Sequence, residues 1–351
     1  MLKKNALIIF GGESNEYDVS RRSAASIIEN LDREKYNPII VGITRDGSWY
    51  LCEESLDKIR NDTWAEGAKS AFLSPDKKHH GICVFGEDGV EVIFIDVIFP
   101  AVHGQNCEDG ALQGLMELSG IPYVGPRVTA AATTFDKAVT HIIAEREGIP
   151  MARWLLVTRG EAFEETANRI DKSFGFPCFV KPANSGSSVG CSAAKNRDEL
   201  KTALETAFKE DRRVIIEEQI IAQEVECAVL GNGELFAPTT GEIVSGDGFY
   251  DYDSKYINDT AKLYIPALIP EDTAENVREL AKKIYRALDC TGLSRVDFFV
   301  KKDGEILFNE VNTLPGFTSI SMFPKMMMAG GFTYKDLVTK LLTLAEEVEK
   351  R

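Results

Sequence analysis

Three short apolar runs constrain the fold most: residues 5–10 (NALIIF), 37–43 (NPIIVGI) and 92–99 (VIFIDVIF). Each is nearly continuous in apolar side chains and too short for a core helix. Such runs read as strands buried on both faces, the pattern of a parallel sheet covered by helices. A helix is expected from Val19 to Leu31 and another from Gly110 to Ser119, with Asp109 as its N-cap. Gly120 and Pro122 follow as stop signals. This first α/β unit is expected to span 1–124.

A second unit is expected over 125–217. It has helices at 129–147 and 197–209 and strands at 154–157, 178–181 and 214–217. The third, 218–351, opens with a strand at 228–230 and ends with a strand pair at 294–300 and 306–311. A last helix is expected near 334–349. Lys302-Asp303-Gly304 between the paired strands is a hairpin turn. Residues 241–262 form a polar, glycine-rich stretch of about 20 residues without periodicity, a length that usually signals a functional loop.

The 351-residue chain carries 55 acids against 40 bases, a formal charge of −15. That disfavours nucleic acid as a partner, because phosphate neutralisation needs an excess of Lys and Arg. No run approaches the ~20 apolar residues of a membrane span. The N-terminal apolar run is shorter than the roughly 7–15 residues of a secretory signal. Seven cysteines without a CxxC fit reduced thiols, hence a cytoplasmic location.

Chemistry concentrates in residues 297–316 (DFFVKKDGEILFNEVNTLPG). Alternation places Glu310 and Asn312 on one strand face, and the hairpin can set Asp297 beside them. Three oxygen donors among apolar neighbours suit Mg²⁺, although a solvated acidic face has the same letters. In 176–192 (FPCFVKPANSGSSVGCS), Lys181 ends a strand and a Gly/Ser loop follows, a combination that can hold phosphate without a Walker motif. In VIIEEQI and Glu224, an acid near a strand end is either a ribose ligand or a surface acid.

The ordered set GGESNEYDVS (11–20), HGQNCEDG (103–110), FDK (135–137), KPANSGSSVG (181–190), EEQI with Glu224, FYDYDSKY (249–256), SRVDFF (294–299) and NEVNTLPGFTSIS (309–321) resembles the D-alanine–D-alanine ligase family of the ATP-grasp superfamily. The resemblance implies a three-domain ATP-grasp architecture. An N-terminal Rossmann-like parallel-sheet domain would precede two ATP-grasp subdomains, with a lid loop at 241–262. It implies ATP-dependent joining of two D-alanines through an acyl phosphate, two Mg²⁺ ions (Mn²⁺ is an admissible substitute) and a homodimer.

The resemblance also assigns residues. Lys137, Lys181, Ser188 and Lys255 would contact ATP. Glu217, Glu218 and Ile220 would line the adenine, and Glu224 would hold the ribose. Asp297, Glu310 and Asn312 would ligate metal, and Arg295 would neutralise the transferred phosphate. Glu16 would bind the first ammonium, with His103 nearby as positioning group or proton carrier. Gly316, Ser321 and Met322 would contact the second amino acid. Tyr256 would close the site toward Ser187 and Glu16.

D-Lactate ligases lack the Lys255-Tyr256 pair. D-Serine ligases tend to carry Arg at the Met322 position and Phe at the lid tyrosine. D-Alanine is thus the expected acceptor, with D-serine and, more distantly, D-lactate as alternatives. A non-catalytic ATP-binding module is the alternative outside the enzyme class. Cys107 stands where the family commonly has glycine, which matters if the backbone there is left-handed.

Overall fold

The computed structural model describes residues 2–244 and 262–348. The expected α/β class holds: three sheets follow one another along the chain, each flanked by helices. The first sheet has seven strands in the order β6-β5-β4-β3-β2-β1-β7. They are β1 (Lys4–Gly11), β2 (Tyr36–Ile43), β3 (Trp49–Leu51), β4 (Lys69–Leu73), β5 (Gly81–Gly86), β6 (Gly89–Phe94) and β7 (Val97–Val102). Only β2-β1-β7 are parallel; β3 to β6 are an antiparallel meander. The parallel sheet expected from the three apolar runs is the β2-β1-β7 part of this mixed sheet.

The run 92–99 is not one strand either. Asp96 interrupts it: its carboxylate accepts the Asn5 N–H at 2.7 Å, and the chain turns from exposed β6 into buried β7 there. Helices α1 (Tyr17–Glu29), α2 (Leu56–Arg60) and α3 (Ala111–Ser119) complete this unit. Asp109 sits one residue before the N-cap, Gly110, but its carboxylate still accepts the Ala111 N–H at 3.1 Å. The left-handed non-glycine residue nearby is Asn106 (φ 62°) and not Cys107, whose side chain is buried. Asparagine tolerates that conformation, so the cysteine carries no backbone cost.

The expected helix over 129–147 is two helices, α4 (Val128–Phe135) and α5 (Lys137–Arg146). Asp136 separates them in an extended conformation and forms an isolated bridge to Asn184, just past the strand that ends at Pro182. Its carboxylate caps α5 through the Val139 N–H (3.1 Å), meets Asn184 Nδ2 at 3.3 Å and pairs with Arg213. The break has a tertiary cause, and it turns Lys137 into the first residue of α5.

The second sheet, order β10-β9-β11-β8, is built from β8 (Trp154–Thr158), β9 (Cys178–Pro182), β10 (Ser192–Ala194) and β11 (Arg213–Glu218). It carries α6 (Phe163–Ser173), a helix the sequence reading missed, and α7 (Arg197–Glu210). The third sheet, order β14-β13-β12-β15-β16, holds β12 (Gln223–Leu230), β13 (Thr240–Val244), β14 (Lys262–Tyr264), β15 (Leu293–Val300) and β16 (Ile306–Asn312), with α8 (Glu271–Ala287) against it. Residues 241–244, read as loop, belong to β13. Helices α9 (Met322–Ala329) and α10 (Tyr334–Val348) fold back onto the first unit. Phe323, Met326, Leu337 and Leu341 share one buried cluster with Leu7, Ile9 and Phe99.

Asp136→Ala should remove a helix cap and leave Arg213 without its carboxylate. The expected cost is about 2–4 kcal/mol, read as a lower urea midpoint at unchanged slope. A loss under about 0.5 kcal/mol, the size of an ordinary surface substitution, would show that Asp136 does not hold this junction.

Candidate active site

The β15–β16 hairpin turns at Gly304 (φ 89°) and runs in register with Arg295 opposite Asn312 and Asp297 opposite Glu310. The register then shifts by one residue, pairing Phe298 with Phe308. This bulge leaves Asn309 as the extra residue. Strict alternation would turn Asn309 away from Glu310, but both line the same cavity, a usual effect of a bulge beside a site. Lys181 Nζ donates to Asn309 Oδ1 at 3.0 Å. Alternation alone could not reveal Asn309.

Asp297 is held on two sides. Arg295 grips its carboxylate through Nε (2.8 Å) and Nη2 (2.6 Å), and Asn312 Nδ2 donates to Oδ2 at 3.0 Å. Glu226 on β12, cross-strand partner of Asp297, lies 3.1 Å from Arg295 Nε. Burial works against the Arg295 charge, but Asp297 and Glu226 outweigh it and raise the guanidinium pKa. Asp297 and Glu310, with the Asn312 amide oxygen, present two carboxylates and one neutral oxygen, a donor set that fits Mg²⁺. Among the described residues no group of three His, Cys, Asp or Glu side chains is placed to hold a metal, and here the asparagine would be the third donor.

A second ionic cluster lies where β9, β11 and α5 meet. Buried Glu217 accepts Lys181 Nζ on one oxygen (2.6 Å) and faces His141 Nε2 with the other (2.8 Å). Burial would raise the Glu217 carboxyl, but Lys181 and His141 bring it down to about 2. Burial likewise opposes the Lys181 charge, and Glu217 more than restores it. His141 Nδ1 contacts the Lys137 carbonyl oxygen at 2.7 Å, so one imidazole ties together the Lys137 backbone and Glu217. His141 sits inside α5 with no metal-spaced partner near it in the sequence. Its partner is 76 positions away and carries no local signal. Glu218 turns the other way, its carboxylate bound by Arg153 at 2.6 Å.

Glu16, in the loop after β1, lies between two glycines. A Cβ on Gly104 or on Gly186 would come within 3.1 Å of its Oε2. Ser187 Oγ donates to Glu16 Oε1, joining the Gly/Ser loop of the second unit to the first. Ser187 and Ser188 are both left-handed (φ 51° and 59°), a conformation costing about 1–2 kcal/mol for a side-chain-bearing residue. Lys137 Nζ reaches into this loop and donates to the Ser185 carbonyl at 2.6 Å.

One cavity of about 520 Å³ collects these groups. Its walls include Glu16, His103, Lys137, Lys181, Ser187, Ser188, Glu217, Glu218, Ile220, Glu224, Arg295, Asp297, Glu310, Asn312, Gly316, Ser321 and Met322. Every site residue expected from the sequence and lying in the described segments is thus on one surface. Lys255 and Tyr256 lie outside the described residues. Glu108, Glu226 and Asn309 line the cavity as well and were not anticipated.

Family models described as the D-ala D-ala ligase N-terminus and C-terminus match residues 5–126 and 143–343. A D-alanine–D-alanine ligase of Caldicellulosiruptor bescii is 45% identical, over 100% of this chain and 97% of the relative. Another from Acetivibrio thermocellus is 47% identical over 98% of this chain and 96% of the relative. Among solved structures, the VanG D-Ala:D-Ser ligase from Enterococcus faecalis is 40% identical with a TM-score of 0.90, covering 98% of this chain and 100% of that one. The D-alanine-D-alanine ligase from Coxiella burnetii is 32% identical with a TM-score of 0.86, covering 99% of this chain and 95% of that one. With its full length matched in order, the chain belongs to the D-alanine–D-alanine ligase family.

Proposed function

We propose that this chain joins two D-alanines into D-alanyl-D-alanine at the expense of ATP, supplying a peptidoglycan precursor. The observation that carries the reading is the single cavity shared by the cations Lys137, Lys181 and Arg295, the oxygen donors Asp297, Glu310 and Asn312, and the glycine-flanked Glu16 carboxylate. The ammonium of the first D-alanine pairs with Glu16. Its carboxylate faces the γ-phosphate of ATP, whose phosphates lie along Lys137, Lys181 and the Ser187-Ser188 loop. The adenine packs against residues 217–220 and the ribose hydroxyls bond Glu224. The backbone at Glu218 serves the adenine, because its side chain is committed to Arg153.

A carboxylate is a poor acylating agent because oxide is its leaving group. Phosphoryl transfer makes it an acyl phosphate, and two anions must then approach each other. Asp297, Glu310 and Asn312 would hold two Mg²⁺ ions (or Mn²⁺), which supply charge neutralisation to the phosphates. Lys137, Lys181 and Arg295 position the phosphoryl oxygens and offset their charge. The second D-alanine, against Gly316, Ser321 and Met322, attacks as the free amine. Arg295 and the Gly316 N–H stabilise the tetrahedral oxyanion, and phosphate departs. Lys255 and Tyr256, on the loop read as a lid, keep water from the acyl phosphate. The same reading makes the enzyme a cytoplasmic homodimer. All seven cysteines are free thiols, and no helix among the described residues is long and apolar enough to cross a membrane.

A D-serine acceptor is the second reading, favoured by the likeness to a D-Ala:D-Ser ligase structure. Against it, buried Met322 offers a thioether, a weak acceptor for a hydroxymethyl group. Phosphate release with ATP, Mg²⁺ and D-alanine, alone and in competition with D-serine and D-lactate, tests both. When the products are separated, D-alanyl-D-alanine should dominate, and preferential D-alanyl-D-serine would reverse the order. Glu310→Gln should cut turnover by about 10²–10³ in a folded protein, and near-normal activity would remove Glu310 from the metal set.

Glu217 gives a pH prediction. Its folded pKa is depressed to about 2 from 4.5, so its contribution to stability is full above about 4.5 and is lost as pH falls toward 2. In urea unfolding, Glu217→Gln should be less stable than wild type at neutral pH, and the gap should narrow across that window. A gap independent of pH would mean that Glu217 is not held as an ion.

A further inference from the structure

The hydrogen bonds around His103 fix its role. The ring is buried between the first sheet and the loop that follows β16. Nδ1 lies 2.8 Å from the Leu314 carbonyl oxygen and Nε2 lies 3.2 Å from Ser23 Oγ. A carbonyl oxygen only accepts, so Nδ1 carries the ring hydrogen. Ser23 Oγ accepts the Phe317 N–H at 3.0 Å, which leaves its own hydrogen free to be donated to Nε2, 3.2 Å away. Every donor then has one direction: Phe317 N–H to Ser23, Ser23 O–H to His103, His103 Nδ1–H to Leu314.

Glu108 holds the other end of the same residue. Its Oε1 accepts the Leu314 N–H at 3.3 Å, while Oε2 accepts the Gly104 N–H at 2.7 Å. Gly125 closes the grip: a Cβ there would stand 2.7 Å from Leu314 Cδ2. The segment from Leu314 to Phe317, with Gly316 inside it, is thus fastened by side chains of the N-terminal unit.

We infer that His103 is a positioning residue, held as the neutral Nδ1–H tautomer, which with Ser23 and Glu108 fixes the loop carrying Gly316 and carries no proton in the reaction. Both ring nitrogens are engaged by protein atoms, so neither faces a substrate amine. Among the described residues the titratable groups by the ring are Glu16, which acts on it directly, and Glu108, which shares Leu314 with it, with Arg295 beyond Glu108. Burial lowers the imidazole pKa against the pull of Glu16, which agrees with a ring that stays neutral. Burial and Glu16 also raise the Glu108 carboxyl. The consequence for Gly316 rests on the ligase reading; the tautomer does not.

Two measurements test this. In the ligand-free protein with ¹⁵N-labelled histidine, the His103 signal (identified by its loss in His103→Asn) should show a protonated Nδ1 and a bare Nε2 across about pH 5 to 8. Titration to imidazolium in that range, or an Nε2–H tautomer, overturns the inference. In steady-state assays, His103→Ala should lower kcat and raise KM for the acceptor D-alanine, together about tenfold to a hundredfold in kcat/KM, with KM for ATP within about twofold. His103→Asn restores a donor to Leu314 and cannot shuttle protons. It should recover roughly tenfold over the alanine variant, with the wild-type shape of the pH–rate profile. An asparagine variant as impaired as alanine, with one limb of that profile gone, would reinstate His103 as a proton carrier. Ser23→Ala, which alters no group near the reacting atoms, should show the same KM-against-kcat split in milder form; wild-type kinetics there would break the relay. If no dipeptide forms at all, the ligase reading fails while the nitrogen signals still decide the tautomer.

Discussion

Lys181 can stay charged in this cavity because Glu217 lies 2.6 Å away. An ammonium taken out of water without a partner sheds its proton, and a neutral lysine gives a phosphate nothing to bind. The same constraint governs Arg295, which is buried against Asp297 and Glu226. A site that presses a phosphoryl group against a carboxylate needs its cations in place before either anion arrives. The acids keep those cations charged and fix their direction. Two such clusters stand apart, one at β9, β11 and α5, the other on β12 and β15. Strand β16 spans them: Asn309 meets Lys181, and Asn312 meets Asp297.

What could be read from the sequence was what depends on neighbours in the chain. The β15–β16 face was legible because alternation and the Asp-Gly turn are local rules, and the ordered motifs carried the remaining positions. What depends on distant partners was not legible. Asp136 breaks a helix whose letters favour continuity, because Asn184 and Arg213 claim its carboxylate. Asp96 splits an apolar run through a bond to Asn5. Ser23 and His141 sit in helices with nothing beside them to mark them, and their partners lie far along the chain, Phe317 for Ser23 and Glu217 for His141. Asn309 enters the cavity through a bulge, which strand periodicity forbids by construction.

The first unit contributes more than a surface for one amino acid. Its side chains hold Leu314 and Phe317 of the third unit, and Glu16 accepts Ser187 of the second. These contacts set the three units around one volume. Two consecutive serines stay left-handed in that setting. Such conformations persist where surrounding structure over-determines them.

The last two helices pack on the first sheet, and Glu346 near the end of α10 pairs with Lys4 at the start of β1. The core of the first unit is therefore assembled from both extremes of the sequence. During translation, β1 and β7 leave the ribosome long before Phe323, Leu337 and Leu341 are available to cover them. The nascent chain must shield that apolar face, by transient collapse or by a chaperone, until the final stretch is synthesised. A fragment ending after residue 124 would carry the same exposed face permanently and would be prone to aggregate.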